Sequence, residues 1–209
     1  MGGLFISLEG IEGTGKTTQS RLLGEALEAQ GQKTVLTVEP GGTEISRHIR
    51  EVLLDVRHTN MDPMTELLLY AAARRQHLQE IINPALKRGE IVITDRFSDS
   101  TMAYQGYARG LDRNLIRSLD STVTGSIRPN LTLLLDMDPR IGLERNRNAQ
   151  KVDRLELEAL EFHQKVRDGF LQIATQEPDR IKIINAETTV EQIHTQILEK
   201  VNRLTTTNL

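Results

Sequence analysis

The residues best suited to chemistry lie near the start of the chain, in the stretch 10–17. This stretch reads Gly-Ile-Glu-Gly-Thr-Gly-Lys-Thr and matches the pattern G-x-x-x-x-G-K-[ST] in full. In that pattern the glycines let backbone N–H groups converge on phosphate oxygens, the lysine reaches the β- and γ-phosphates, and the hydroxyl ligates Mg²⁺. We therefore expect Lys16 to bind the donor phosphates and Thr17 to ligate magnesium. The expected nucleotide-binding residues are Gly10, Ile11, Glu12, Gly13, Thr14, Gly15, Lys16 and Thr17.

The alternative is a glycine-rich turn that matches this pattern by chance. It is disfavoured, because an apolar run precedes the loop and a polar helix start follows it. Within the loop, Glu12 places a carboxylate among N–H groups that bind anions. It could be a surface residue without a role, but it suggests an acceptor for a substrate hydroxyl.

A second charged pair, Asp95-Arg96, follows the short apolar run 91–94. A carboxylate there can hold a water of the Mg²⁺ shell, and a guanidinium can bind a phosphate with two hydrogen bonds. A surface salt bridge at a strand end is the alternative. Beside a phosphate loop, a role in binding metal and phosphate becomes the favoured interpretation.

Two further sets of side chains share a face on predicted helices. Tyr70 and Arg74 are four residues apart, and Thr101, Tyr104 and Gln105 follow the same helical spacing. A ring beside a guanidinium could stack on a nucleobase and bind its edge. Each set could equally be a half-buried tyrosine beside solvated polar groups, and the spacing alone leaves both open.

Five short apolar segments separated by helical patterns predict a parallel sheet covered on both faces. The predicted strands are 4–8, 34–38, 91–94, 131–135 and 181–184. The predicted helices are 15–30, 43–55, 63–87, 98–107, 113–123, a helix from 140 that ends in the basic segment 145–154, 155–176 and 189–204, with a frayed tail at 205–209. Ligands of such sheets bind beyond the carboxyl ends of the strands. That rule predicts one crevice for the phosphate loop, Glu39, Asp95-Arg96, Asp136-Asp138 and Asn185-Ala186.

Composition limits the class of protein. The chain has 209 residues, 26 Lys and Arg against 29 Asp and Glu, a net charge of −3 and no cysteine. That length suits one domain, with at most a small mobile insert. The charge gives no sign of a nucleic-acid-binding surface, which is usually basic. Disulfides and thiolate–zinc sites are excluded, no signal peptide or membrane span is visible, and we expect a cytoplasmic protein.

Six short motifs occur in order along nearly the whole chain. They are Gly10-Ile11-Glu12-Gly13-Thr14-Gly15-Lys16-Thr17-Thr18, Glu39-Pro40-Gly41-Gly42-Thr43, Tyr70-Ala71-Ala72-Ala73-Arg74, Asp95-Arg96-Phe97, Ala103-Tyr104-Gln105-Gly106 and Asp153-Arg154-Leu155-Glu156. Together they resemble the bacterial thymidylate kinases, a family of P-loop nucleoside monophosphate kinases. The resemblance implies an α/β fold of three layers, with a five-stranded parallel sheet flanked by helices. One kinase domain would span residues 1–209, with a short lid at about 144–154.

The resemblance also implies the reaction and the partners. Mg²⁺-dependent transfer of the γ-phosphoryl group from ATP to dTMP would give dTDP for dTTP synthesis. The partners would be these small molecules and a second copy of the chain in a homodimer, without nucleic acid or membrane. The attacking phosphate oxygen has a second pKa of about 6 and needs no strong base. Asp95 would therefore position Mg²⁺ or Arg96.

Substrate roles carry over from the resemblance residue by residue. Glu12 would bind the sugar 3′-hydroxyl, and Arg96, helped by the Glu39 loop, would hold the acceptor phosphate. Tyr70 stands where the family usually has a phenylalanine that stacks on thymine, and Arg74 would donate to thymine O4.

The remaining roles concern the base edge, the sugar and the donor. Thr101 would contact the base edge, and Tyr104 would crowd the sugar 2′ position and favour deoxyribose. Gln105 would complete the substrate site. Ala186 would lie beside the adenine of ATP.

Three positions depart from the family pattern. Val38 replaces a usual arginine, which Arg50 could compensate, and Ala73 stands where an acidic residue is common. Ala149-Gln150 occupies the place of a lid Arg-Gly.

The stretch 10–17 contains no arginine, so the lid is expected to supply the cation for the transition state. Arg145, Arg147 and Lys151 are the candidates, and we choose Arg147. The expected catalytic residues are Lys16, Asp95, Arg96 and Arg147.

Three other functions remain open. One is another P-loop kinase that acts on a different nucleoside monophosphate or on a nucleoside. A second is a regulatory switch that hydrolyses nucleotide, although the Asn-Lys-x-Asp string of guanine-type switches does not occur. The third is an inactive scaffold, which the intact loop and the Asp95-Arg96 pair disfavour.

Overall fold

Five strands form one parallel sheet in the computed structural model, which describes residues 3–148 and 153–207 and the side chains of all of these except 205–207. The strands are β1 Leu4–Glu9, β2 Thr34–Val38, β3 Ile91–Asp95, β4 Leu131–Asp136 and β5 Ile181–Asn185. Their order is β2-β3-β1-β4-β5. Leu8 pairs with Asp95 and Glu9 with Leu134, so the phosphate loop leaves the centre of the carboxyl edge.

Helices follow every strand. They are α1 Lys16–Ala29, α2 Glu44–Leu54, α3 Pro63–His77, α4 Asn83–Lys87, α5 Ser98–Thr101, α6 Arg113–Thr124, α7 Pro139–Asn148, α8 Leu160–Gln176 and α9 Val190–Thr207. A π-helical segment, Leu78–Ile82, joins α3 to α4, and another, Met102–Ala108, extends α5. Asp62 caps α3 by accepting hydrogen bonds from two backbone N–H groups of its first turn.

Apolar side chains cover both faces of the sheet. On one face Leu23 and Leu27 of α1 and Ile197 of α9 are fully buried. On the other, the rings of Phe5 and Phe97 meet edge to face at 4.9 Å. Helix α8 packs directly against the Met102–Ala108 segment, and the two share one apolar cluster. The predicted α/β fold of three layers is therefore confirmed.

Two helix boundaries differ from the prediction by three residues or more. α7 ends at Asn148, within the segment 145–154 where its end was expected, whereas α9, expected to end at residue 204, continues to Thr207. The helix predicted from residue 155 begins only at Leu160. The reason is local: the Asp153 side chain accepts hydrogen bonds from the backbone N–H groups of residues 155 and 156, which holds a turn in place of a helix.

The predicted lid at 144–154 is only partly covered by the structure. Ala149, Gln150 and Lys151 lie outside the described residues. None of the helices among residues 3–148 and 153–207 is long and apolar enough to cross a membrane.

Candidate active site

A cavity of about 660 Å³ opens at the carboxyl edge of the sheet. Six separate segments of the chain contribute to its lining. Its lining includes Glu12, Gly13, Gly15, Lys16 and Thr17, Glu39 and Arg50, Tyr70 and Arg74, Asp95 and Arg96, Thr101, Tyr104 and Gln105, and Arg145. The structure thus brings most of the predicted site residues together.

Glycines allow the phosphate loop to pack closely on its neighbours. Gly10 has a φ of 137°, and a Cβ there would lie 2.4 Å from the Leu135 carbonyl oxygen. Gly13 packs on Gly142 of α7, where a Cβ on Gly13 would lie 2.2 Å from the Gly142 oxygen. This contact holds α7 against the loop. Directly after Gly15, α1 begins and presents its N-terminus to the cavity, which favours an anion there.

Lys16 rests on carbonyl oxygens of its own loop. Its Nζ donates to the oxygens of Gly10 at 3.1 Å and Ile11 at 2.7 Å, and to Thr14 Oγ1 at 3.3 Å. Burial, and next the charge of Arg96, lower the pKa of the ammonium to about 8. Lys16 therefore remains mostly cationic at neutral pH, at the place where donor phosphates would bind.

Thr17 and Asp95, the two predicted metal-binding residues, contact each other directly. The Thr17 hydroxyl donates to Asp95 Oδ2 at 2.6 Å. A hydroxyl and a carboxylate are the hard oxygen ligands that Mg²⁺ prefers, and in nucleotide sites phosphates and water complete its shell. The pair therefore fits Mg²⁺, although within the described chain no three His, Cys, Asp or Glu side chains cluster as a metal site.

The guanidinium of Arg96 is held by four partners at the cavity wall. It donates to the Gly10 oxygen at 2.9 Å, Ser100 Oγ at 3.0 Å, Glu12 Oε1 at 3.1 Å and the Tyr104 hydroxyl at 3.2 Å. Its backbone φ is 74°, an uncommon value for a residue other than glycine. Such backbone outliers cluster at functional sites, where the surrounding contacts hold them in place.

The two oxygens of the Glu12 carboxylate face different groups. Oε1 accepts hydrogen bonds from Tyr104 and Arg96. Oε2 lies 3.5 Å from Nδ1 of His163, which is longer than a normal hydrogen bond. Burial by itself would raise the pKa of Glu12, but His163, Arg96 and Lys16 outweigh it and lower the pKa below its usual range. Glu12 is therefore an ionised hydrogen-bond acceptor.

Arg74 is fixed in one orientation by three side chains. Nε donates to Glu39 Oε1 at 2.6 Å, Nη1 to Asp120 Oδ1 at 3.1 Å, and Nη2 to Thr101 Oγ1 at 2.7 Å. The guanidinium lies 5.2 Å from the centre of the Phe97 ring. Since a guanidinium has five N–H groups, Nη1 and Nη2 each keep one N–H for a further acceptor.

The remaining predicted substrate residues also reach the cavity. Glu39 does so while its carboxylate holds Arg74, and Arg50 donates to the Pro40 oxygen at 2.8 Å. Arg50 therefore lines the same cavity as Val38, the residue that it was expected to compensate. Tyr70 is half-buried on the same cavity.

Gln105 belongs to a buried cluster around Glu66 of α3. Glu66 accepts from Gln105 Nε2 at 2.8 Å and Arg109 Nε at 3.3 Å, and it also binds Arg154. Arg154 in turn donates from Nε to the Leu53 oxygen at 2.8 Å. The base of the lid is therefore tied to the helix that carries Tyr70 and Arg74.

The lid arginines occupy different positions. Arg145 lines the cavity, and its Nη1 lies 3.5 Å from the Gly13 oxygen and 3.4 Å from the Ala186 oxygen. Arg147 is exposed and is not among the lining residues, so the geometry does not support the choice of Arg147. Ala186 is fully buried and is not among the lining residues; its backbone oxygen is the atom that Arg145 approaches.

Three residues near the site were missed at the level of sequence. Glu9 accepts from the Phe97 backbone N–H at 2.7 Å and the Ser100 hydroxyl at 2.5 Å. A carboxylate at the end of an apolar strand was its only signal. Ser100 and His163 carry no signal of their own, because each lies among other polar residues of a predicted helix. Asp136, expected in the crevice, instead pairs with Arg167 at 2.7 Å.

Comparison with known proteins agrees with this geometry. A family model described as thymidylate kinase matches residues 8–197. Thymidylate kinase of Pelobacter propionicus is 50% identical over 99% of this chain and 98% of its own length. That of Bacillus licheniformis is 48% identical over 98% and 95%. A crystal structure of thymidylate kinase from Ehrlichia chaffeensis, 38% identical, superposes with a TM-score of 0.79 over 97% of this chain and 99% of that one. The chain belongs to the thymidylate kinase family.

Proposed function

We propose that this chain transfers the γ-phosphoryl group of ATP to the phosphate of dTMP, forming dTDP. One observation carries the proposal: groups suited to a phosphoryl donor and groups suited to a nucleotide acceptor line the same cavity. Lys16, Thr17 and Asp95 form the donor side. Arg96 and Arg74 belong to the acceptor side.

On the donor side, Lys16 exchanges its loop carbonyls for β- and γ-phosphate oxygens. Thr17 and Asp95, whose side chains are hydrogen-bonded at 2.6 Å, would hold Mg²⁺. A bound magnesium ion offsets phosphate charge in such sites. Because no strong base is required, Asp95 serves as a positioning group.

On the acceptor side, Arg96 binds the dTMP phosphate and aligns it with the donor. Arg74 directs its remaining N–H groups to thymine O4, beside Thr101, and Tyr70 stacks on the ring. Glu12 accepts from the sugar 3′-hydroxyl, and Tyr104 excludes a 2′-hydroxyl.

Turnover of a panel of monophosphates with Mg-ATP tests the proposal. We expect dTMP to be the best substrate. The methyl-free dUMP should be poorer by about 10- to 200-fold, since a methylene-sized group contributes roughly 1–3 kcal/mol. The donor amine of dCMP faces the donors of Arg74, and such a mismatch costs about 10⁴-fold or more. Comparable turnover of dCMP and dTMP would refute this assignment.

Lys16→Ala, assayed with the same monophosphates, tests the donor side of the site. It should remain folded by circular dichroism and lose about 10²-fold or more in turnover of every acceptor, because it removes a charge that stabilises the transition state. Retained turnover in the purified variant would contradict the role of Lys16.

We also propose that two copies of the chain associate. Large apolar side chains are exposed on three adjoining helices: Ile45 and Val52 on α2, Leu68 on α3 and Leu115 on α6. A second copy would cover them. Sedimentation of the wild type should give a dimer and Leu68→Lys should shift it towards monomer; a monomeric wild type would disprove the association.

A further inference from the structure

A buried histidine that does not line the cavity lies next to the Glu12 carboxylate. His163 on α8 is 1% exposed, and its Nδ1 is 3.5 Å from Glu12 Oε2. Within the part of the chain that the structure describes, neither ring nitrogen of His163 nor Glu12 Oε2 has a hydrogen-bond partner. Buried polar atoms are nearly always paired. Two of these atoms already face each other, and hydrogen bonds in ligand-free sites are often long and tighten when substrate binds.

The other Glu12 oxygen is held by groups that the substrate would recruit. Oε1 is bound by Arg96 and Tyr104, both of which line the cavity. When an acceptor phosphate takes up Arg96, Oε1 loses that cation and can accept from a sugar hydroxyl. A carboxylate held at one end only can rotate about its last side-chain bond. His163, which is not among the lining residues, approaches the other oxygen, Oε2.

We propose that His163 is a positioning residue for the Glu12 carboxylate, and that it thereby makes the enzyme selective for nucleotides with a 3′-hydroxyl. The inference rests on the proposed function. Its Nδ1–H donates to Oε2 and keeps Oε1 turned towards the cavity. A substrate without the 3′-hydroxyl gains nothing from this arrangement.

A packing role alone makes a different prediction. The His163 ring meets that of Phe162 edge to face at 5.6 Å, so the residue also fills space in α8. Loss of packing would impair every substrate to the same degree, whereas loss of positioning would impair only substrates with the hydroxyl.

The experiment compares three substitutions on two substrates. His163→Asn keeps an N–H near the Nδ1 position, His163→Gln moves it to the Nε2 position, and His163→Leu removes it. Each is assayed with dTMP and with 3′-deoxythymidine monophosphate at saturating Mg-ATP, with Glu12→Gln as the reference.

We expect His163→Leu and His163→Gln to lower kcat/KM for dTMP by about tenfold, mainly through a higher KM. The reason is that both variants lose a hydrogen bond to a charged carboxylate. Their kcat/KM for the deoxy analogue should change less than about twofold. His163→Asn should keep the wild-type preference. Equal losses on both substrates, or no loss, would overturn the proposal; if His163→Leu does not fold, the Asn and Gln variants decide.

The wild type separates this inference from the proposed function. If it does not phosphorylate dTMP, the proposed function fails. If it phosphorylates both substrates equally well, phosphoryl transfer stands and the positioning role is overturned.

Discussion

The charged side chains of the cavity are held by protein groups that a substrate would replace. Lys16 donates to the Gly10 and Ile11 oxygens, and Arg96 to the Gly10 oxygen and Glu12. When substrate binds, these side chains exchange their protein partners for substrate atoms. Because the side chains are already oriented, little reorganisation is needed during the reaction.

The choice of lid cation is a prediction at this scale. Arg145→Ala should lower kcat by about 10²-fold or more if it acts as an arginine finger, because Arg145 lines the cavity beside the phosphate loop. Arg147→Ala, on the same helix and exposed, is the matched control and should change kcat less than about threefold. Single-turnover rates measure both. A larger loss in Arg147→Ala would show that Arg147 supplies the cation.

Residue roles that depend on a motif could be predicted, and those that depend on packing could not. The loop pattern identifies Lys16 and Thr17 because it encodes a phosphate-binding backbone. His163 lies 3.5 Å from Glu12 because α8 packs on the Met102–Ala108 segment, and the two residues are far apart in the sequence. Nothing in the local pattern around His163 reports that contact.

At the scale of elements, buried ion pairs tie helices to the lid. Glu66 of α3 joins Gln105 and Arg109, at the end of the Met102–Ala108 segment, to Arg154 at the base of the lid. The strands were predicted to within one residue at each end, because short apolar runs define them. Helix ends were less accurate where a side chain competed for the backbone, as Asp153 does before α8.

Removing Glu66 should be costly. Glu66→Ala leaves Arg154 buried without its carboxylate, and we expect a loss of roughly 3–5 kcal/mol in the free energy of unfolding. Glu25→Ala is the control, since it breaks an exposed pair with Arg21 and should change that free energy by less than about 0.5 kcal/mol. Urea denaturation compares them. Similar small losses in both variants would show that the cluster around Glu66 contributes little.

At the scale of the whole molecule, one buried carboxyl makes stability depend on pH. Burial, and next the negative charge of Asp99, raise the pKa of Glu9 from 4.5 to about 8. Between these values the native state binds a proton that the unfolded state releases. The stabilisation from Glu9 is therefore complete below pH 4.5 and is lost as the pH rises to about 8.

Glu9→Gln should remove this dependence, because glutamine resembles the protonated side chain. The stability of the variant relative to the wild type should rise from about pH 5 to pH 8 and then level off. Urea unfolding at each pH, monitored by circular dichroism, measures the difference. Parallel stability curves for the two proteins would contradict the assignment.

The packing of Gly13 on Gly142 constrains how the sequence can change. A Cβ on Gly13 would meet the Gly142 oxygen at 2.2 Å, and a Cβ on Gly142 would meet the Glu12 oxygen at 2.3 Å. At most close contacts the residues can change during evolution, because a larger side chain on one side can be offset by a smaller side chain on the other. Neither glycine can be replaced by a smaller residue. A substitution at one of the two positions therefore cannot be compensated by a substitution at the other, and both glycines must be retained together.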